Sequence, residues 1–141
     1  MPDDLIPPIE AFHSNGIEFE EFVARTLNRD GWETRLTKRS RDQGLDLLAT
    51  DERYRVAIQC KRYAAPVGNS AVQEVHAAAD FAGSTHAIVV TTSSFTTSAM
   101  QLAESLGVIL LNEEQLADLR SHLVFITPRS PRRRTTTLFR E

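Results

Sequence analysis

The chain has 141 residues, 41% apolar and 25% charged, the proportions of a soluble globular protein with one full core and no room for a second ordinary domain. Its 16 basic and 19 acidic side chains leave a net charge of −3, so overall charge alone does not draw it to nucleic acid. The single cysteine, Cys60, excludes an internal disulfide framework and a multi-cysteine zinc site.

No apolar run approaches the length needed to cross a bilayer, and the start, Met1-Pro2-Asp3-Asp4, lacks signal-peptide character, so a cytoplasmic protein is expected. Residues 1–15, with prolines at 2, 7 and 8, read as an extended arm. From Gly16 to Asp30 the pattern is helical, with Ile17, Phe19, Phe22, Val23 and Leu27 forming an apolar face. Helical phase puts Glu20 between Ile17 and Leu27, inside that arc, with Glu18 outside it and Glu21 at its margin. An inward carboxylate needs a partner; at the rim it would instead reach solvent or an arginine.

Gly31 ends the helix, and Trp32 to Thr37 reads as a first strand, followed by a basic link over Lys38 to Arg41. Two neighbouring stretches then stand out, Asp42 to Ala49 and Tyr54 to Arg62, joined by a turn at residues 50–53 into an antiparallel meander. Both carry polar groups where a buried strand would show Val, Ile or Leu. Side chains alternate along a strand, so Gln59 and Lys61 share one face while Ile58 and Cys60 share the other. Asp46 on the neighbouring strand would come within reach of Gln59 and Lys61. The Cys60 side chain reads as core packing.

Pro66, Gly68 and Asn69 break the chain, and Ser70 with Gln73 forms the pattern of a capping box. The helix it opens runs to about Ala82, with a narrow alanine-rich stripe that implies close approach to the sheet. His86 to Thr92 is a β-branched run apolar on both faces, as in a central strand. Thr96 or Thr97 caps a further helix that stops at Gly107. Val108 to Leu111 is another strand, Asn112 caps a last helix carrying Leu116 and Leu119, and Leu123 to Thr127 reads as an edge strand. From Pro128 the chain becomes an Arg-, Ser- and Thr-rich tail that includes Arg129 and Arg132 to Arg134. The order α-β-β-β-α-β-α-β-α implies an α/β fold, a mixed sheet with helices on both faces. Three parts are expected: arm 1–15, domain 16–127 and basic flexible tail 128–141.

Four segments together carry a resemblance. Gly16-Ile17-Glu18-Phe19-Glu20, Asp42-Gln43-Gly44-Leu45-Asp46, Gln59-Cys60-Lys61-Arg62, and Val89 to Thr96 followed by Ala99 occur in order and in matching structural context. They resemble the Mrr-type restriction endonuclease domain, a branch of the PD-(D/E)xK nuclease superfamily in which Gln replaces the second carboxylate. The resemblance implies a restriction-endonuclease-like fold, an α-β-β-β-α-β core with a further α-β-α extension. It further implies that Asp46 binds metal, Gln59 is the second motif residue, Lys61 is the catalytic lysine and Glu20 is the acidic residue of the first helix.

The chemistry so implied is Mg²⁺-dependent hydrolysis of DNA phosphodiesters, with Mn²⁺ as a substitute ion. Asp46 offers a hard anionic oxygen, Gln59 a neutral carbonyl oxygen, and the backbone carbonyl of Cys60 is a further candidate ligand. Glu20 would restore the lost negative charge directly or through a metal-bound water. Arg35, Lys38, Arg39, Arg41 and Arg62 would hold the DNA backbone by charge, and Ser94 would touch phosphate; the blander reading of such a run is a solvated face. Asp42 and Gln73 are more distant candidates, with a turn and a helix cap as their ordinary roles. His13, His76, His86 and His122 have no metal-ligand spacing.

Cutting both strands calls for a homodimer, at least on DNA, and the family often joins this domain to a separate DNA-recognition module. Two other readings share the fold: a structure-selective nuclease resembling Holliday junction resolvases, and a non-catalytic DNA-binding or assembly domain.

Overall fold

The computed structural model describes residues 16–37 and 44–130. The expected arm, Lys38, Arg39, Arg41 and Asp42, and the tail arginines Arg132 to Arg134 lie outside the described residues.

Helix α1 (Gly16–Arg29) buries Phe19, Val23, Ala24 and Leu27. Ile17 and Phe22 do not belong to this face: they are 45% and 38% exposed. Inclusion of Ala24 rotates the buried stripe, leaving Ile17 and Phe22 each roughly 90° or more from its centre. The same rotation brings Glu20 closer to the centre, between Leu27 and Ala24, where it is partly buried.

Strands β1 (Glu33–Leu36), β2 (Leu47–Thr50) and β3 (Arg55–Lys61) form the antiparallel meander. Helix α2 (Asn69–Ala82) then crosses over to β4 (His86–Thr91), and α3 (Thr97–Leu106) to β5 (Val108–Asn112). Both crossovers deliver parallel strands, so the sheet reads β1-β2-β3-β4-β5, antiparallel on one side of β3 and parallel on the other. All six residues of β4 are buried, as its β-branched, doubly apolar pattern requires.

Two apolar layers enclose the sheet. On one face Leu47, Ile58, Ile88 and Val90 pack against α1 and against Leu116, Leu119 and Leu123. On the other, Ala57, Ala87 and Val89 meet Val72, Val75 and Ala79 of α2 and Ala99 and Ala103 of α3. The alanines on both sides of that interface let the helices sit close to the strands. Truncating a fully buried side chain such as Leu27 to Ala would cost about 2–5 kcal/mol.

Three local expectations are corrected. Helix α2 starts at Asn69 with Gly68 as its cap and no side-chain capping bond, so Ser70 and Gln73 form no capping box. Ser98 instead donates to the Asn69 side chain at 3.0 Å, tying the starts of α2 and α3 together. After β5 the chain enters a 3₁₀ turn (Glu113–Asp118) and a short helix α4 (Leu119–Leu123) in place of one longer helix. No edge strand follows Leu123: Ile126 turns back onto Leu123 and accepts from the His86 ring, while Phe125 is 85% exposed. Helix α3 keeps its expected ends, with Thr96 Oγ1 accepting from the Ala99 amide at 3.0 Å and Gly107 in the left-handed region at φ 73°. No helix among the described residues is long and apolar enough to cross a membrane.

Candidate active site at the open end of the second hairpin

The geometry follows from unequal strand lengths. Leu47 pairs with Ile58, and β2 begins there, so Gln59, Cys60 and Lys61 extend past their neighbour on that side. Backbone amides left at such an edge need partners. Asp46 supplies one: its amide donates to the Ile58 carbonyl at 2.8 Å and its Oδ2 accepts from the Cys60 amide at 2.7 Å. The carboxylate thus takes the ladder position that another strand residue would have filled. A residue's amide and carbonyl project to the same side of a strand, so the Cys60 carbonyl faces this same edge.

Gln59 points into the α2 layer and is 3% exposed. Its Nε2 donates to Glu74 Oε1 on α2 at 3.3 Å, and its Oε1, also buried, accepts no hydrogen bond among the described residues. A carboxylate can only accept, so Glu74 fixes which end of the amide is which. Beyond Gln59, β3 is held to β4 by Thr91, whose buried hydroxyl donates to the Lys61 carbonyl at 2.8 Å.

Cys60 points to the opposite face, towards α1, and its thiol reports the charges around it. Burial pushes its pKa well above the ordinary value, Asp46 and Glu20 push it further, and Lys61 pulls it back. Asp46, Glu20 and Lys61 are therefore all near enough to act electrostatically on one atom. A thiol so raised stays protonated at neutral pH, which matches the packing role. The Lys61 ammonium lies 5.4 Å from the centre of the Tyr63 ring.

The edge thus gathers Asp46, Gln59, Cys60 and Lys61, with Glu20 approaching on the α1 side and Glu74 on the α2 side. Among the described residues no three His, Cys, Asp or Glu side chains converge as a metal cluster. A cation here would be held by a mixed oxygen set: the Asp46 carboxylate, Gln59 Oε1 and the Cys60 carbonyl. Those are hard donors, suited to Mg²⁺, and a buried acceptor without a donor is the feature a cation would satisfy.

Of the expected phosphate-contacting groups, Arg35, Arg62 and Ser94 fall among the described residues. Arg35 is exposed on β1, near enough to Arg55 for like-charge repulsion. Arg62 is partly buried with its guanidinium 5.1 Å from the centre of the Phe19 ring. Burial lowers its pKa while Glu113 and Glu18 oppose that shift. It lines a groove of about 750 Å³ with Phe22, Tyr63, the basic Arg25 and the acidic Glu18, Glu21 and Glu113. Ser94 is exposed in the loop before α3, where its carbonyl accepts from Val67 at 2.8 Å. Ser93 is committed to structure, donating to the Ala65 carbonyl at 2.7 Å.

Sequence reasoning singled out Gln73 on α2 and passed over Glu74. Helical phase holds the missing signal: relative to the buried stripe of α2, Gln73 lies nearly opposite, whereas Glu74 is about a quarter turn from its centre and flanks the sheet.

A mixed five-stranded sheet between helical layers, with these groups at the point where its antiparallel and parallel halves meet, defines a restriction-endonuclease-like domain. The family model described as restriction endonuclease, Mrr_cat, matches residues 13–120, and the chain belongs to that family. Three solved structures share the fold. The DNA modification-dependent restriction endonuclease AspBHI is 24% identical with a TM-score of 0.60, over 80% of this chain and 33% of its own. The MspJI restriction endonuclease, in complex with a 27-mer oligonucleotide, is 22% identical with a TM-score of 0.52, over 72% and 27%. AF1548, a protein of unknown function, is 24% identical with a TM-score of 0.59, over 73% and 65%. The chain therefore spans about two thirds of AF1548 and a third or less of the two endonucleases. No curated protein matches it.

Proposed function

We propose that this domain is a metal-dependent DNA endonuclease of restriction type, with Asp46, Gln59, Lys61 and Glu20 as its working groups. The observation that carries the reading is the edge itself: Asp46 closing on the Cys60 amide beside a buried Gln59 whose carbonyl oxygen has no donor among the described residues. Membership of a restriction endonuclease family supports it. The complex of the similarly folded MspJI restriction endonuclease with a 27-mer oligonucleotide supports nucleic acid, and hence DNA, as the partner.

Asp46, Gln59 and the Cys60 carbonyl would hold Mg²⁺ or Mn²⁺, which when bound supplies charge neutralisation at the phosphoryl oxygens and acidifies water. Lys61 places its ammonium at the same edge, where it offsets charge that develops on the phosphate and orients the attacking water. Glu20 contributes the second negative charge that Gln59 does not carry. Hydrolysis then adds water across the P–O3′ bond, and the protein's part is to hold these groups without rearrangement. Cleavage of both strands requires two such edges, hence a homodimer on DNA or paired encounters. A separate recognition subunit or module would supply the choice of site.

The test is a supercoiled-plasmid assay of wild type and Lys61→Ala with Mg²⁺, Mn²⁺ or chelator, on methylated and unmethylated DNA and on four-way junctions. Cutting by wild type with metal alone, and loss in the variant, is expected. DNA retention without any metal-dependent cutting would overturn the enzymatic reading, and preference for junctions over duplex would redirect it to a structure-selective nuclease.

A further inference from the structure

Glu74 has no part in the reading above, yet it touches both motif segments. Its side chain accepts from Gln59 Nε2, and its backbone lies so close to Gly44 that a Cβ there would sit 2.6 Å from the Glu74 carbonyl oxygen. Gly44 has a φ of 66°, and Asp46 follows two residues later. One residue of α2 therefore gauges the position of the loop carrying Asp46 and the orientation of Gln59.

Orientation matters because the two ends of a glutamine amide are nearly the same size and opposite in polarity. Turned one way, Gln59 offers a carbonyl oxygen to a cation; turned the other, it offers an NH₂ group that repels one. In a site 3% exposed, solvent cannot settle the choice. An acceptor-only carboxylate on the α2 side can, since it holds the NH₂ and turns the oxygen away.

Resting on the metal-site reading, we propose that Glu74 is the positioning residue of this centre, selecting the amide orientation in which Gln59 can ligate metal. The role is specific to an amide at position 59. A carboxylate there has two equivalent oxygens and needs no orienting, and it would be repelled by Glu74. The same change at Glu74 should therefore have opposite consequences in the two backgrounds.

The experiment titrates Mn²⁺ into DNA-free protein by calorimetry or electron paramagnetic resonance, after circular dichroism and melting of each variant without metal. Glu74→Gln and Glu74→Ala should weaken Mn²⁺ binding by roughly 10-fold, the usual scale for a group orienting a ligand. In a Gln59→Glu background, Glu74→Gln should strengthen it. Equal Mn²⁺ affinity in wild type, Glu74→Gln and Glu74→Ala, or weakening of the same sign in both backgrounds, would overturn the proposal. Should Glu74→Ala fail to fold, the near-isosteric Glu74→Gln pair still decides. Asp46→Ala separates the two levels: if it loses Mn²⁺ while the Glu74 variants keep it, only the positioning role falls. If wild type binds none, the metal site and the positioning role fall together.

Discussion

Strand β2 has an aspartate at each end, and the two do different work. Asp51, at the closed end, accepts from the Arg53 and Tyr54 amides at 2.8 and 2.7 Å and from Arg120 Nε at 3.0 Å. Arg120 in turn donates to the Asp30 carbonyl at 2.9 Å and lies 4.3 Å from the centre of the Trp32 ring, so Asp51 clasps the hairpin to the end of α1. Asp46, at the open end, takes the Cys60 amide on its Oδ2 where the ladder runs out, and with Glu20 and Lys61 it acts on the Cys60 thiol. The same side chain closes structure where its donors come from a turn and an arginine. Where a strand ends early, it stands in for a missing ladder partner beside the polar groups of β3.

That contrast can be broken or sharpened by substitution. The largest effect is expected at the open end: Asp46→Ala or Lys61→Ala should lower plasmid cleavage by about 100-fold or more, the scale of removing one group that stabilises transition-state charge. Melting curves should stay near wild type, and comparable loss of cleavage in Asp51→Ala measured per folded molecule would erase the distinction.

At the closed end the cost should appear in stability. Asp51→Ala removes an acceptor from three donors and should cost about 1–3 kcal/mol in urea titration at neutral pH. Burial alone would raise the Asp51 pKa, but the Tyr54 and Arg53 amides and Arg120 together bring it below the ordinary carboxylate value. A pKa depressed by folding contributes stability that is full above the unfolded-state value and fades as pH falls through the folded one. The gap between wild type and Asp51→Ala should therefore narrow on acidification; a gap that is constant from neutral to strongly acidic pH would mean the carboxylate charge plays no part.

Gly44→Ala should affect both properties. Left-handed backbone costs a non-glycine residue about 1–2 kcal/mol, and the contact with Glu74 adds displacement of the loop before Asp46. Lower stability together with weaker metal-dependent cleavage is the expected pair, and unchanged cleavage would show that the loop position does not govern the site. The smallest effect should come from Cys60→Ala, because only the backbone of Cys60 serves the edge. Cleavage should persist, and the wild-type thiol should react with Ellman's reagent slowly at neutral pH because burial, Asp46 and Glu20 raise its pKa.

Much of this was readable from periodicity. The α2 alanine stripe, the doubly apolar β4 and the alternation of Gln59 and Lys61 against Ile58 and Cys60 all follow from spacing alone. Glu20 was placed inward by helical phase, and the folded chain puts it nearer the buried centre than the predicted arc did, because Ala24 was not counted as core. What spacing does not encode is which polar groups meet across elements. Glu74 and Gln59 are fifteen residues apart, and their contact depends on how α2 lies over the sheet. The failed edge strand after Leu123 has a similar cause: the β-like run Val124 to Ile126 is captured by a turn in which Ile126 serves His86, so it does not pair with the outer edge of β5.

Strand β3 has one more property. Ile58 fills the α1 core while Ala57 fits beneath the small residues of α2, and neither layer would accept the other's side chain. A slip of one residue would send Gln59 and Lys61 to the α1 face and turn Cys60 towards Glu74. The mismatch in bulk between Ile58 and Ala57 therefore acts as a proofreading step for register: a chain that packs its interior correctly has, by that act, already turned Gln59 towards Glu74.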